Sequence, residues 1–250
     1  MIFEDNNFLP FLLTFVPALI YAFIVFVPFP KNSISLRISF LYFLMGSIAV
    51  TAVTAFQWIL PGWRFTLDNF LTGLVVTAFI QVALLEEGMK LLFYRLTAMY
   101  RGRRPMPHAI MFYSMSISAG FAVVENMMYA WRFGPDVLWI RAYSAIILHM
   151  LAGLIMGYFI SLGVYKKKLR HLFMTIGLAA AVFIHGLYDF NVMVSYQEYA
   201  IGNGEIAFIA TGLGVNMLWI LAPGVIVAIL MYKHLNKLRE KRRIYLPSSK

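Results

Sequence analysis

Apolar runs long enough to cross a bilayer recur along the chain, separated by short stretches where proline, glycine and basic residues gather. A helix of about 20 apolar residues spans ~30 Å of hydrocarbon. On that rule the pattern predicts helices at roughly Phe8 to Phe29, Leu36 to Leu60, Phe70 to Met99, His108 to Trp131, Trp139 to Tyr165, Leu172 to Val192 and Ile206 to Tyr232. Acidic Glu4 and Asp5 precede the first run and Pro17 interrupts it, a pattern that suits a retained helix better than a secretory signal. The expected fold is therefore all-α, a polytopic membrane helix bundle of about seven transmembrane helices.

Composition strengthens this picture. With 61% hydrophobic and 13% charged residues, the chain has too little polar surface to cover a soluble globule, and its mean hydropathy is +0.76. The absence of cysteine excludes a disulfide scaffold, a thiol nucleophile and a thiolate metal site. A net charge of +10 would suit nucleic acid, but the basic residues sit in short loops and one tail, where topology explains them and no nucleic-acid partner is implied.

Lys31 and Arg37, Arg101 to Arg104, Lys166 to Arg170 and the tail from Lys233 alternate with the more acidic loops that carry Arg64, Arg132 and Arg141. This asymmetry predicts the N-terminus outside and the C-terminus in the cytoplasm, in a multi-pass protein of the cell membrane. One transmembrane domain covers 1–250, with residues 70–192 as the site-bearing core and 233–250 as a basic cytoplasmic tail suited to anionic lipid.

Against this apolar background, Glu86, Glu87, Glu125, His149, His185 and Asp189 stand out. An Asp at bilayer depth costs about 2.5–3.5 kcal/mol on the insertion scale, so such residues on four successive spans point to one shared polar site. Glu86 and Glu87 point about 100° apart on a helix, and Lys90, at i+4 and i+3 from them, can neutralise one and leave the other for chemistry. Phe121, Glu125 and Tyr129 form one stripe, which lets a tyrosine hydroxyl hold the glutamate; Asn126 can orient a carbonyl or bind an oxyanion. His149 shares its stripe with Gly153 and Gly157, a small-residue face for close helix contact. His185 and Asp189, at i and i+4, can bind a metal together or act as base and orienter. Counting 1.5 Å per residue places both histidines in the outer half of the membrane and Glu86 deeper, a mismatch within this reading.

The ordered set Glu86-Glu87-x-x-Lys90, Phe121-x-x-x-Glu125-Asn126, His149-x-x-x-Gly153 and His185-x-x-x-Asp189 resembles the PrsW family of intramembrane proteases, which is distantly similar to the CAAX prenyl-protein proteases. The resemblance implies site-1 cleavage of a single-span anti-sigma factor in the bacterial cytoplasmic membrane, at the start of a stress-response cascade. It also implies catalytic roles for Glu86, Glu87, Glu125, His149, His185 and Asp189, with Asn126 and Lys90 serving substrate or oxyanion. Two chemistries fit. In a glutamate mechanism Glu86 or Glu87 activates water with His149, and Asn126 or His185 binds the oxyanion. In a metal mechanism His149, His185 and one or two carboxylates, with Glu125 and Asp189 as the candidates, hold a Zn²⁺.

Other intramembrane protease chemistries lack their residues: there is no H-E-x-x-H helix, no second membrane aspartate, and no glycine-flanked serine motif around Ser114, Ser116 or Ser118. The rival from another class is an ion- or proton-coupled transporter using the same buried groups, although no matched pair of broken spans supports it. A non-catalytic adaptor held together by the polar cluster is a further rival.

Overall fold

The computed structural model describes residues 34–63, 67–100, 106–200 and 222–245, with isolated helical positions between 12 and 19. Every regular element among the described residues is helical. We number them α1 (Leu36–Ile59), α2 (Phe70–Val76), α3 (Leu85–Tyr100), α4 (Pro107–Phe133), α5 (Val137–Tyr143), α6 (Ala145–Tyr165), α7 (Arg170–Ala200) and α8 (Ala222–Tyr245). A short 3₁₀ turn, Pro61–Trp63, follows α1, and a π-helical stretch, Thr77–Leu84, joins α2 to α3 without a break.

Five spans are long and apolar enough to cross a membrane: α1, the run Phe70–Tyr100, α4, the run Val137–Tyr165 and the run Lys167–Ser195. They correspond to the second through sixth predicted spans. The first predicted span falls outside the described residues apart from the isolated positions, and the seventh is described only from Ala222. From there α8 stays helical to Tyr245, so the basic segment expected from residue 233 as a tail begins as helix.

Helix ends follow local chemistry. Asn69 caps α2, its side-chain oxygen accepting the Thr72 amide at 2.9 Å. Pro107 opens α4 at a position that needs no amide donor, and Gly134 closes it at φ 88°, a backbone region that L side chains rarely adopt. A π turn closes its hydrogen bonds one residue further on than an α turn, which misaligns neighbouring carbonyls. Trp63 Nε1 donates to the Gln81 carbonyl at 3.0 Å and so meets one of them.

The helices form a closed circuit. Helix α1 packs on α4, α4 on α6, α6 on α7 and α7 on the π stretch, while α3 returns to α1. Helix α4 is the most enclosed, buried continuously from His108 to Val123. In lipid, where apolar surface gains little from leaving its solvent, close packing does most of the work of association. A Cβ added at Gly153 would lie 2.5 Å from Ser118 Oγ and 2.7 Å from the Ser114 carbonyl, and one at Gly157 would lie 2.7 Å from Met111 Cα. The small-residue stripe read from the sequence thus lets α6 lie directly against α4. Gly46 and Gly120 do the same for α1 and α4, where a Cβ would run into the Ile117 and Phe43 carbonyls. At the far side of the circuit Gly186 admits the Phe79 ring, seating the π stretch against α7 beside His185.

Candidate functional site

All six ionisable residues singled out in the sequence meet inside the circuit, together with Lys90 and Asn126. The connected groups are Glu86, Glu87 and Lys90 on α3, Glu125 and Asn126 on α4, His149 on α6, and His185 and Asp189 on α7. Glu86 and His185 are in contact and so share one level of the bundle, and α7 runs to Ala200, beyond the expected end at Val192. His185 then lies midway along α7, and Glu86 falls near the middle of the run Phe70–Tyr100. The π stretch adds to this, since wider turns advance less per residue.

Lys90 links the groups. Its Nζ lies 2.6 Å from Glu87 Oε1, 2.8 Å from His149 Nδ1 and 3.9 Å from Glu86 Oε2, over the Phe121 ring at 4.1 Å. An ammonium only donates, so His149 Nδ1 accepts and the ring proton sits on Nε2, which donates to Glu125 Oε2 at 2.9 Å. His185 is arranged in parallel. Its Nδ1 donates to Glu87 Oε1 at 2.8 Å, and its Nε2 faces Asp189 Oδ2 at 3.3 Å and Glu86 Oε2 at 3.9 Å. The two rings meet edge to face, centroids 4.7 Å apart. Each imidazole therefore gives one N–H to a carboxylate; the other nitrogen of His149 is taken by Lys90, and that of His185 faces Asp189 and Glu86.

Several polar atoms of the cluster are buried without a hydrogen-bond partner among the described residues: Glu86 Oε2, Glu87 Oε2, Asp189 Oδ2 and Asn126 Nδ2. The carboxylates of Glu86, Glu87, Glu125 and Asp189 face the cations of Lys90 and Arg141 and, among the described residues, His185, whose two nitrogens both face carboxylate oxygens, so that a proton or a cation there offsets negative charge. Donor atoms of Glu86, His149 and His185 lie within 4.8 Å of one another. Orphaned carboxylate oxygens beside two imidazoles oriented by carboxylates are what a divalent cation needs, so the donor set fits a metal.

The structure rearranges the expected roles within this set. Glu125, a candidate metal ligand, is held by Arg141 Nη2 at 2.8 Å and by His149, while the donor atoms that lie closest together are those of Glu86, His149 and His185. Tyr129 does not hold Glu125 through its hydroxyl; its ring lies 3.6 Å from the Arg141 guanidinium carbon. Arg141 itself, read from sequence as an outer-loop charge, is an inward-turned member of the cluster. Its place two residues inside the predicted Trp139–Tyr165 span is the signal that marks it. His108, His171 and His234 contribute no ion pair to the cluster among the described residues.

No solved structure matches the chain. Curated relatives do. The chain is 29% identical to protease PrsW of Shouchella clausii (strain KSM-K16) over 159 residues, covering 64% of this chain and 71% of the relative. It is 26% identical to protease PrsW of Bacillus subtilis (strain 168) over 149 residues, covering 59% of this chain and 66% of that one. Against protease PrsW of Clostridioides difficile (strain 630) it is 26% identical over 164 residues, 62% of this chain and 67% of the relative. These alignments take in about two thirds of each relative's length. Residues 35–231 match the family described as PrsW family intramembrane metalloprotease, a stretch that begins just before α1 and includes every residue of the cluster. This multi-pass membrane protein belongs to the PrsW family of intramembrane metalloproteases.

Proposed function

We propose that the chain is an intramembrane endopeptidase that hydrolyses a peptide bond of a membrane-anchored protein, with a single-span anti-sigma factor as its substrate class. The observation that carries the chemistry is the enclosed face where Glu86 Oε2 and Asp189 Oδ2, each without a hydrogen-bond partner among the described residues, converge on His185 Nε2. The substrate class rests on the family resemblance. The alternation of basic and acidic loops supports the N-terminus outside, the C-terminus in the cytoplasm and anionic lipid at the basic face.

Glu86 and His185, with Asp189 beside them, would hold a divalent ion such as Zn²⁺, and His149 would join them through Nδ1 once Lys90 releases that nitrogen. When bound, such an ion supplies Lewis acidity and a water whose pKa is lowered to about 7. The chain's own groups do the rest. Glu87 and Glu125 hold the two imidazoles in register through His185 Nδ1–H and His149 Nε2–H. Glu86 would give one carboxylate oxygen to the ion, and its other oxygen accepts the proton of the attacking water and later returns it to the leaving amine. Lys90 keeps the α3 glutamates from repelling one another, and the Asn126 amide nitrogen donates to the oxygen of the tetrahedral intermediate. The closed circuit of helices keeps bulk water from this face.

The test is purification of the wild type with Glu86→Gln, Glu87→Gln and His149→Ala, assay on single-span substrates, and mass spectrometry of bound metal. Wild-type cleavage, with Glu86→Gln folded and slower by about 10²–10⁴-fold, is the expected result. No cleavage by folded wild type, together with ion-dependent flux in proteoliposomes, would replace the protease reading with the transporter.

A further inference from the structure

Arg141 lies on α5 near the end of its span, where a cation is unremarkable, yet its side chain turns into the bundle. Nη2 donates to Glu125 Oε2 at 2.8 Å and Nε to Asn126 Oδ1 at 2.7 Å, and the guanidinium lies over the Tyr129 ring. Glu125, Asn126 and Tyr129 all belong to α4. A single planar fork therefore fixes three side chains of a neighbouring helix, a task that suits arginine and not lysine.

The contact to Asn126 has a directional consequence. A guanidinium has no acceptor, so the amide atom facing Nε must be the oxygen, and the nitrogen must point the other way. That nitrogen belongs to a residue with no solvent exposure and has no acceptor among the described residues. Buried donors left this way are uncommon and call for an explanation such as a ligand atom. The contact to Glu125 acts on His149. The same oxygen, Oε2, accepts from Arg141 and from His149 Nε2, so the arginine holds the carboxylate where it keeps the ring proton on Nε2 and Nδ1 turned inward.

We propose that Arg141 is a positioning residue: it presents the Asn126 amide nitrogen as the donor to the substrate carbonyl and, through Glu125, sets the tautomer of His149. This rests on the protease reading. Arg141 touches no reacting atom; it acts through two residues that face the site from α4 and α6.

The experiment compares wild type with Arg141→Lys, Arg141→Met, Asn126→Ala and the double variant Arg141→Met/Asn126→Ala, each purified in detergent with its retained ions. Cleavage kinetics are measured on a single-span substrate, and isotope-labelled histidine and asparagine side chains are followed by NMR. Arg141→Lys keeps a charge for Glu125 but cannot also fix Asn126. It is expected to melt close to wild type and to keep the His149 proton on Nε2. Its kcat should fall about 10²–10³-fold, the loss of one oxyanion donor, with KM changed by less than about twofold. Arg141→Met should also free the His149 tautomer, and adding Asn126→Ala to it should cost less than the product of the two single losses.

Wild-type kcat in Arg141→Lys would overturn the proposal, as would losses that simply multiply in the double variant. A loss that follows melting temperature across the series, with KM and kcat affected alike, would mark Arg141 as a structural clamp and overturn it too. If wild type cleaves nothing, the protease reading fails by itself and NMR judges the positioning. An Asn126 signal and a His149 proton unmoved by Arg141→Met would then sink it, and displacement of both would sustain it.

Discussion

Lys90 is the side chain that holds the buried charges together, since it alone bridges both α3 glutamates to a histidine of α6. Removing one partner of a buried ion pair leaves an uncompensated charge and costs about 3–5 kcal/mol. Lys90→Met is therefore expected to lower the melting temperature sharply in detergent, and Lys90→Met/Glu87→Gln to recover part of the loss. A double variant no more stable than the single would argue against their coupling. The chemistry of single residues was the most legible part of the sequence, because carboxylates and imidazoles within apolar runs carry a cost that only a function or a partner offsets. Arg141 was harder to see: near a span's end the cost of a cation falls, and the loop pattern already accounts for one. Arg141 also holds Glu125 beside the close group of Glu86, His149 and His185, a contact that the sequence pattern does not show.

Helix positions were legible and helix phase was not. Spans 36–60 and 108–131 fall within a few residues of α1 and α4, since length and apolarity set them. The π stretch left no trace, because a helix facing lipid and packed helices alike has no polar face whose period could reveal a shifted register. Its effect is mechanical. One extra residue per hydrogen-bonded ring changes which way Glu86 and Glu87 point, and deleting Ile80, a partly lipid-facing residue, would turn α3 by about 100° relative to α2. That deletion is expected to leave membrane insertion intact and to abolish cleavage; full activity would show that the register does not matter. The contact between α4 and α6 makes a second demand. Gly153→Ala would press a methyl onto Ser118 and the Ser114 carbonyl, with an expected loss of about 1–3 kcal/mol in thermal denaturation. An unchanged melting temperature would show that the helices can part at that point.

Glu86, His149 and His185 come from α3, α6 and α7, so a cation held among them ties three helices of the circuit together. A ligand that binds only the folded state stabilises it by about 2.7 kcal/mol at a hundred times its dissociation constant. Zinc is expected to raise the melting temperature of the wild type and a chelator to lower it, with the response lost in Glu86→Gln and in His185→Ala. Equal responses in all three would place the ion elsewhere. The enclosure of α4 reaches further, into how the molecule is made. Of the five spans its mean hydropathy is the lowest, and its Ser114, Ser116 and Ser118 are covered only by neighbours. During synthesis α1 is already in place when α4 emerges, but α6, whose glycines lie against Ser114 and Ser118, has yet to be made. Until it arrives, the half-built protein displays polar surface to lipid, and that interval is when membrane quality-control factors can tell an incomplete chain from a finished one.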